Sequence, residues 1–172
     1  MKTILVLRHA KSDWNAEFGG DHERPLNARG RSAAACMGRF LARVDQVPDR
    51  VLCSTALRAR TTVDLAAEAG SWETEVVHEA GLYETWPESV LELVRAQADT
   101  AESLLLAGHE PTWSTFTSRC IGSARLRFPT AALARIDFAT ERWSDVDFGL
   151  GQLVFFVTPK LIAPLEASAR EA

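Results

Sequence analysis

Thr3-Ile4-Leu5-Val6-Leu7-Arg8-His9 is the stretch that decides the fold. Five apolar or β-favouring residues run without interruption and then stop at a guanidinium and an imidazole. A strand covered on both faces reads as such a continuous run, and open α/β sheets bind their ligands in the crevice beyond the carboxyl ends of their strands. The stretch therefore predicts a buried strand that delivers Arg8 and His9 at its tip. An arginine offers a planar fork of donors that suits phosphate or carboxylate, and a neutral histidine offers a ring nitrogen that can attack, take a proton or bind metal. The pair alone also fits a surface arginine beside a core histidine, so its meaning depends on what the other strand ends deliver.

The same junction recurs along the chain. Arg50-Val51-Leu52-Cys53 reads as a short strand, with Ser54 and Thr55 expected to cap a helix over about 56–69 and Arg58 in its first turn. A helix N-terminus presents unpaired N–H groups and a partial positive charge, so an arginine there points to an anion site, the alternative being that Arg58 only decorates the helix surface. Ser103 to Ala107 is another apolar strand, ended by Gly108-His109-Glu110-Pro111, with Pro111 expected at the first helical position. A strand over Glu73 to Val77 leads to a loop that carries Glu84. Between the first two strands, Asn27 is a fair N-cap for a helix over about 28–44, in which Ala33, Met37, Phe40, Leu41 and Val44 form the inner face. Arg29, Arg31, Arg39 and Arg43 are read as its solvated face.

Beyond the helix carrying Trp113, Phe116 and Ile121, two strands over about 132–138 and 152–157 have no helix pattern between them and are expected to pair antiparallel. The segment after Pro159 is expected to be a terminal helix that frays. Strands alternating with helices in this way predict a three-layer α/β/α sandwich whose central sheet is mostly parallel with an antiparallel strand. Right-handed crossovers then bring the strand tips to one edge. No repeat, low-complexity tract or linker divides the chain, so residues 1–172 are expected to form one domain, large enough to bury roughly 70% of its unfolded surface.

Bulk properties narrow the function. A hydrophobic share of 47% and a charged share of 24% are those of an ordinary globular protein. The net charge of −4 argues against non-specific nucleic-acid binding, so any anion site must be local. Cys36, Cys53 and Cys120 are odd in number and lack a Cys-x-x-Cys pair, which points to free thiols in a reducing compartment. The first apolar run is too short for a signal-peptide core or a membrane span, so a cytoplasmic location without membrane contact is expected.

Arg8, His9, Arg58, His109 and Glu84, gathered at one edge, are what transfer of a phosphoryl group to a nitrogen nucleophile needs. The arginines neutralise oxygens, one histidine attacks, the other donates a hydrogen bond, and the carboxyl group handles the leaving group's proton. Rival chemistries fit less well. Cys53 to Arg58 is Cys-x4-Arg, one residue short of a cysteine-phosphatase loop, and His-Glu-x-x-His, Gly-x-Ser-x-Gly and Walker patterns are missing. His22 and His78 are read as surface residues, and neither a metal nor another cofactor is expected.

Leu7-Arg8-His9-Ala10-Lys11-Ser12, Ser54-Thr55-Ala56-Leu57-Arg58-Ala59-Arg60-Thr61, Leu82-Tyr83-Glu84 and Gly108-His109-Glu110-Pro111 together resemble, in order, the four signatures of the histidine phosphatase (phosphoglycerate mutase-like) superfamily. The resemblance covers the whole chain. It implies that His9 becomes phosphorylated, that Arg8, Arg58 and His109 form the phosphate pocket, that Glu84 is the candidate proton donor, and that Ser12 and Asn15 match positions that line the pocket. Ala10 departs from the glycine usual after the Arg-His pair, and the chain is too short for the inserted lid subdomain of the mutase and acid-phosphatase branches. With Arg24-Pro25-Leu26-Asn27-x-x-Gly30, these features resemble the small SixA branch of phosphohistidine phosphatases. The implied substrate is a protein phosphohistidine. A phosphomonoesterase for a small metabolite and a phosphate-recognition module without turnover remain as alternatives.

Overall fold

The computed structural model describes the backbone of residues 1–168. Six strands form one sheet in the order β3-β2-β4-β1-β5-β6: β1 (Lys2–Arg8), β2 (Arg50–Ser54), β3 (Glu75–Glu79), β4 (Ser103–Gly108), β5 (Leu133–Phe138) and β6 (Gly151–Val157). β1, β2, β3 and β4 are mutually parallel, β5 runs antiparallel to β1, and β6 runs antiparallel to β5. A single strand is thus reversed, as the pattern of elements predicted.

The central place of β1 explains its sequence. Ile4 and Val6 pack into one core with α3 (Pro87–Arg95) and α4 (Thr112–Cys120). Leu5 and Leu7 pack into the other with α1 (Ala28–Arg43), α2 (Leu57–Gly70) and Ile162 of α5 (Pro159–Ser168). Alternate side chains leave a strand on opposite faces, and here both faces are covered, so the middle of the strand, residues 4–7, is apolar at every position. Residues 169–172 of the expected terminal helix lie outside the described residues.

Three local expectations are corrected. β3 begins two residues later than its alternation suggested, because the Thr74 hydroxyl is tied to the Pro48 carbonyl at 2.7 Å and pairing with β2 starts at Glu75. Pro111 is the residue before α4 rather than its first. Ser54 and Thr55 do not cap α2, whose cap position is Ala56 without a side-chain hydrogen bond. Both hydroxyls are spent on histidines: Ser54 Oγ lies 2.8 Å from His109 Nε2, and Thr55 Oγ1 lies 2.9 Å from His22 Nε2.

Candidate active site

A cleft of about 490 Å³ lies beyond the tips of β1, β2 and β4, lined by Arg8, His9, Arg58, Glu84 and His109 among others. Its floor is the exit of β1. The His9 N–H donates to the Gly108 carbonyl at 2.9 Å, and the Ala131 N–H reaches the carbonyls of Arg8 and His9 at 3.1 Å. The Ala10 N–H donates to Thr62 Oγ1 at 2.9 Å, and that hydroxyl donates to the Arg58 carbonyl at 2.6 Å, which ties the β1 exit to the first turn of α2. Ala10, in the place where glycine was the usual residue, is fully buried.

His9 is 7% exposed, and its Nδ1 lies 2.7 Å from the Ala10 carbonyl. A carbonyl can only accept, so Nδ1 carries the proton and Nε2 keeps its lone pair. The His9 and His109 ring centroids are 5.1 Å apart. Burial, with smaller contributions from Arg58, Arg8 and Arg24, lowers the His9 pKa to about 3, although its bond to Ala10 works the other way. Burial, then His9 and Arg58, lowers His109 to about 3 as well. Both rings are therefore neutral near pH 7, the state a nitrogen nucleophile requires.

His109 is aimed by its neighbours. The Trp113 indole N–H donates to the Leu7 carbonyl at 2.7 Å, which docks the start of α4 against β1. A Cβ at position 108 would stand 2.7 Å from the Trp113 ring, so only glycine fits immediately before His109. With Nε2 bound to Ser54, His109 Nδ1 is buried without a partner among the described residues, as are Arg8 Nε and Arg58 Nε. Orphaned buried polar nitrogens are costly, and an oxyanion supplies several acceptors at once. Arg8 Nη1 is held by the Phe128 carbonyl at 2.7 Å.

The segment between β1 and α1 contributes residues that sequence reasoning missed. A 3-10 turn, Asp21–Glu23, closes one side of the cleft. Asp21 meets Arg24 at 2.8 Å and Arg58 at 2.9 Å and accepts from the Tyr83 hydroxyl at 3.2 Å. Burial alone would raise its pKa, but the Arg24 hydrogen bond and the charges of Arg58 and Arg24 outweigh that and hold the carboxyl below its usual range. His22, expected at the surface, packs edge-on to Tyr83 with centroids 4.9 Å apart.

The Arg24-Pro25-Leu26-Asn27-x-x-Gly30 pattern held the signal for this anchoring. Leu26 bridges Ser12, the Asn27 N–H donates to the Lys11 carbonyl at 3.0 Å, and Asn27 Oδ1 accepts from the Gly30 N–H at 2.8 Å. A Cβ at position 30 would fall 2.1 Å from the Lys11 carbonyl oxygen, which accounts for the glycine.

Not every expected residue arrives. Ser12 and Asn15 are not among the residues lining the cleft. Ser12 is buried with its hydroxyl taken by Arg24 Nη1, and Asn15 is exposed just after the β1 exit, its N–H bound to Asp13 Oδ1. Glu84 does line the cleft, at the rim, exposed and with a left-handed backbone (φ 50). The following loop is pinned to α4 by the Thr112 hydroxyl, which donates to the Thr85 carbonyl at 2.6 Å, and Trp86 beside it is 75% exposed. Among the described residues, no group of three His, Cys, Asp or Glu is placed to hold a metal ion.

Residues 4–103 match the family model described as the histidine phosphatase superfamily (branch 1). The chain belongs to the histidine phosphatase superfamily. An uncharacterized protein of Mycobacterium tuberculosis is 34% identical over 164 residues, covering 90% of this chain and all of the relative. Among solved structures, the candidate phosphohistidine phosphatase SixA of Agrobacterium tumefaciens is 29% identical with a TM-score of 0.79, covering 92% of this chain and 98% of that one. The SixA counterpart from Nakamurella multipartitia is 25% identical with a TM-score of 0.79, covering 92% and 96%. The chain is SixA-like in fold, and membership of this superfamily supports phosphatase activity. No helix among the described residues is long and apolar enough to cross a membrane.

Proposed function

We propose that this histidine phosphatase hydrolyses protein phosphohistidine through a covalent intermediate on His9. The observation that carries the reading is the bond from His9 Nδ1 to the Ala10 carbonyl, which leaves the Nε2 lone pair of a neutral ring among Arg8, Arg58 and His109. Nε2 attacks phosphorus, a P–N bond forms, and the bond to the leaving group breaks. The departing group takes a proton, for which Glu84 at the rim is the candidate donor. Water then attacks the phosphorylated His9, the P–Nε2 bond breaks, and inorganic phosphate leaves. Arg8 and Arg58 balance the charge on the transferring oxygens, the part that a divalent ion takes in other phosphoryl-transfer enzymes.

A protein substrate is favoured because the cleft reaches solvent past an exposed rim at Glu84 and Trp86, where a side chain carried on another protein can enter. Both SixA relatives named above are described as candidate phosphohistidine phosphatases. The three cysteines are all buried, which agrees with a cytoplasmic setting. The deciding experiment compares phosphate release from a phosphohistidine protein with release from a panel of small phosphoesters, with His9→Ala as the control. Faster turnover of a small ester than of the protein would replace this reading with that of a metabolite phosphomonoesterase. Binding of both without turnover by the wild type would make the protein a recognition module.

A further inference from the structure

A second groove, of about 500 Å³, lies outside the catalytic cleft, lined by Lys11, Arg29, Arg127 and Lys160 with Pro129 and Phe156 among its apolar residues. It stands at the same edge of the sheet. Leu7 is level with Leu133 and Leu133 with Val157, so the tip of β1, the start of β5 and the end of β6 are aligned. Lys11 comes two residues after His9, and Pro129 follows Phe128, whose carbonyl holds Arg8. The four cations come from four places: the β1 exit, the first turn of α1, the loop before β5 and the first turn of α5.

All four are exposed, and among the described residues no acidic one lines the groove. Arg50, Arg95, Arg119, Arg135 and Arg142 each meet a carboxylate, whereas these four have no ion-pair partner among the described residues. In a chain of net charge −4, an uncompensated cluster of this kind makes a local field of opposite sign. The cations differ from the half-buried Arg8 and the buried Arg24 and Arg58 of the cleft, which protein groups fix in place to grip one compact anion. Long, solvated side chains around an apolar floor suit an extended acidic chain, whose carboxylates meet them one by one while an apolar residue covers Phe156.

We propose that this groove binds an acidic segment of the protein substrate, flanking the phosphorylated residue that enters the cleft. The inference rests on the protein-phosphohistidine reading and adds to it a requirement on the substrate's surface.

The test is the double variant Arg127→Glu/Lys160→Glu. Both positions are exposed, and a glutamate in the first turn of α5 suits the helix dipole, so the fold is retained. At 0.15 M salt, where the Debye length is about 8 Å, KM for a phosphohistidine protein with an acidic flank should rise about tenfold and lose its salt dependence, with kcat unchanged. Turnover of p-nitrophenyl phosphate should stay within about twofold of wild type. An unchanged KM for the protein substrate, or an equal loss on both substrates, overturns the inference and leaves the phosphatase reading standing. Poly-L-glutamate supplies a probe independent of catalysis. It should shift the backbone amide resonances of Lys11, Arg29, Arg127 and Lys160 in the wild type and much less in the double variant. No shift in the wild type overturns the inference whatever the enzyme's substrate is.

Discussion

The Asp21 carboxylate stands 2.9 Å from Arg58 Nη2, and the Asp21 carbonyl accepts from Nη1 of the same guanidinium at 2.6 Å. One of the two arginines at the centre of the cleft is therefore already held by an anion that belongs to the protein. An incoming phosphate has to share that guanidinium or displace the carboxylate. Asp21→Asn keeps an acceptor and removes the charge, so vanadate should bind more tightly, by up to about fivefold given what a half-exposed ion pair contributes. Inhibition constants for the two proteins decide it, and weaker binding would show that Asp21 serves chiefly to aim Arg58.

Arg58 and Arg60 leave α2 in different directions, the first buried in the cleft and the second exposed. Arg58→Ala should lower kcat/KM by on the order of 10²-fold or more, the usual cost of removing an oxyanion donor. Arg60→Ala should change it little. Steady-state kinetics of both variants on one substrate make the comparison, and equal losses would move the phosphate site.

Glu84 tests the leaving group. Expulsion of an imidazole needs less help from an acid than expulsion of an alkoxide, and general acid catalysis contributes ~10²- to 10⁴-fold where it is needed. Glu84→Gln should slow an alkyl phosphate by something near that range and a phosphohistidine much less. Equal losses on the two substrates would assign Glu84 to pocket structure or to the activation of water.

The neutral histidine pair makes stability depend on pH with a definite sign. His9 and His109 have folded pKa values of about 3, against about 6.5 in the unfolded chain. Above pH 6.5 both states hold neutral rings and the contribution to stability is complete. As pH falls from 6.5 toward 3, the unfolded chain takes up protons that the folded one refuses, and stability declines. From pH 7 to pH 5 the loss should reach up to about 2 kcal/mol per imidazole, before the carboxylates titrate. Urea denaturation at the two pH values measures it, and His9→Gln should show a shallower dependence than the wild type.

Excess EDTA should leave turnover unchanged, since in the proposed mechanism Arg8 and Arg58 supply the positive charge at the reacting oxygens. Loss of activity on chelation, restored by one divalent ion, would contradict the proposed mechanism.

The chain alone determined the alternation of strands and helices, the covered central strand and the four junctions that carry Arg8, His9, Arg58, Glu84 and His109. These are local matters: an apolar run of period one marks a strand buried on both faces, and a polar residue at its end has nowhere to point except beyond the sheet edge. Tertiary structure decided which hydroxyl meets which group. Ser54 and Thr55 look like helix caps until His109 and His22 arrive from residues far along the chain or across a loop, and Ser12 looks available until Arg24 takes its hydroxyl. Asp21 and the cationic groove stayed hidden for the same reason. A loop's path and the meeting of Lys11, Arg29, Arg127 and Lys160 depend on contacts between segments up to the length of the chain apart, and no periodicity in any one segment records them.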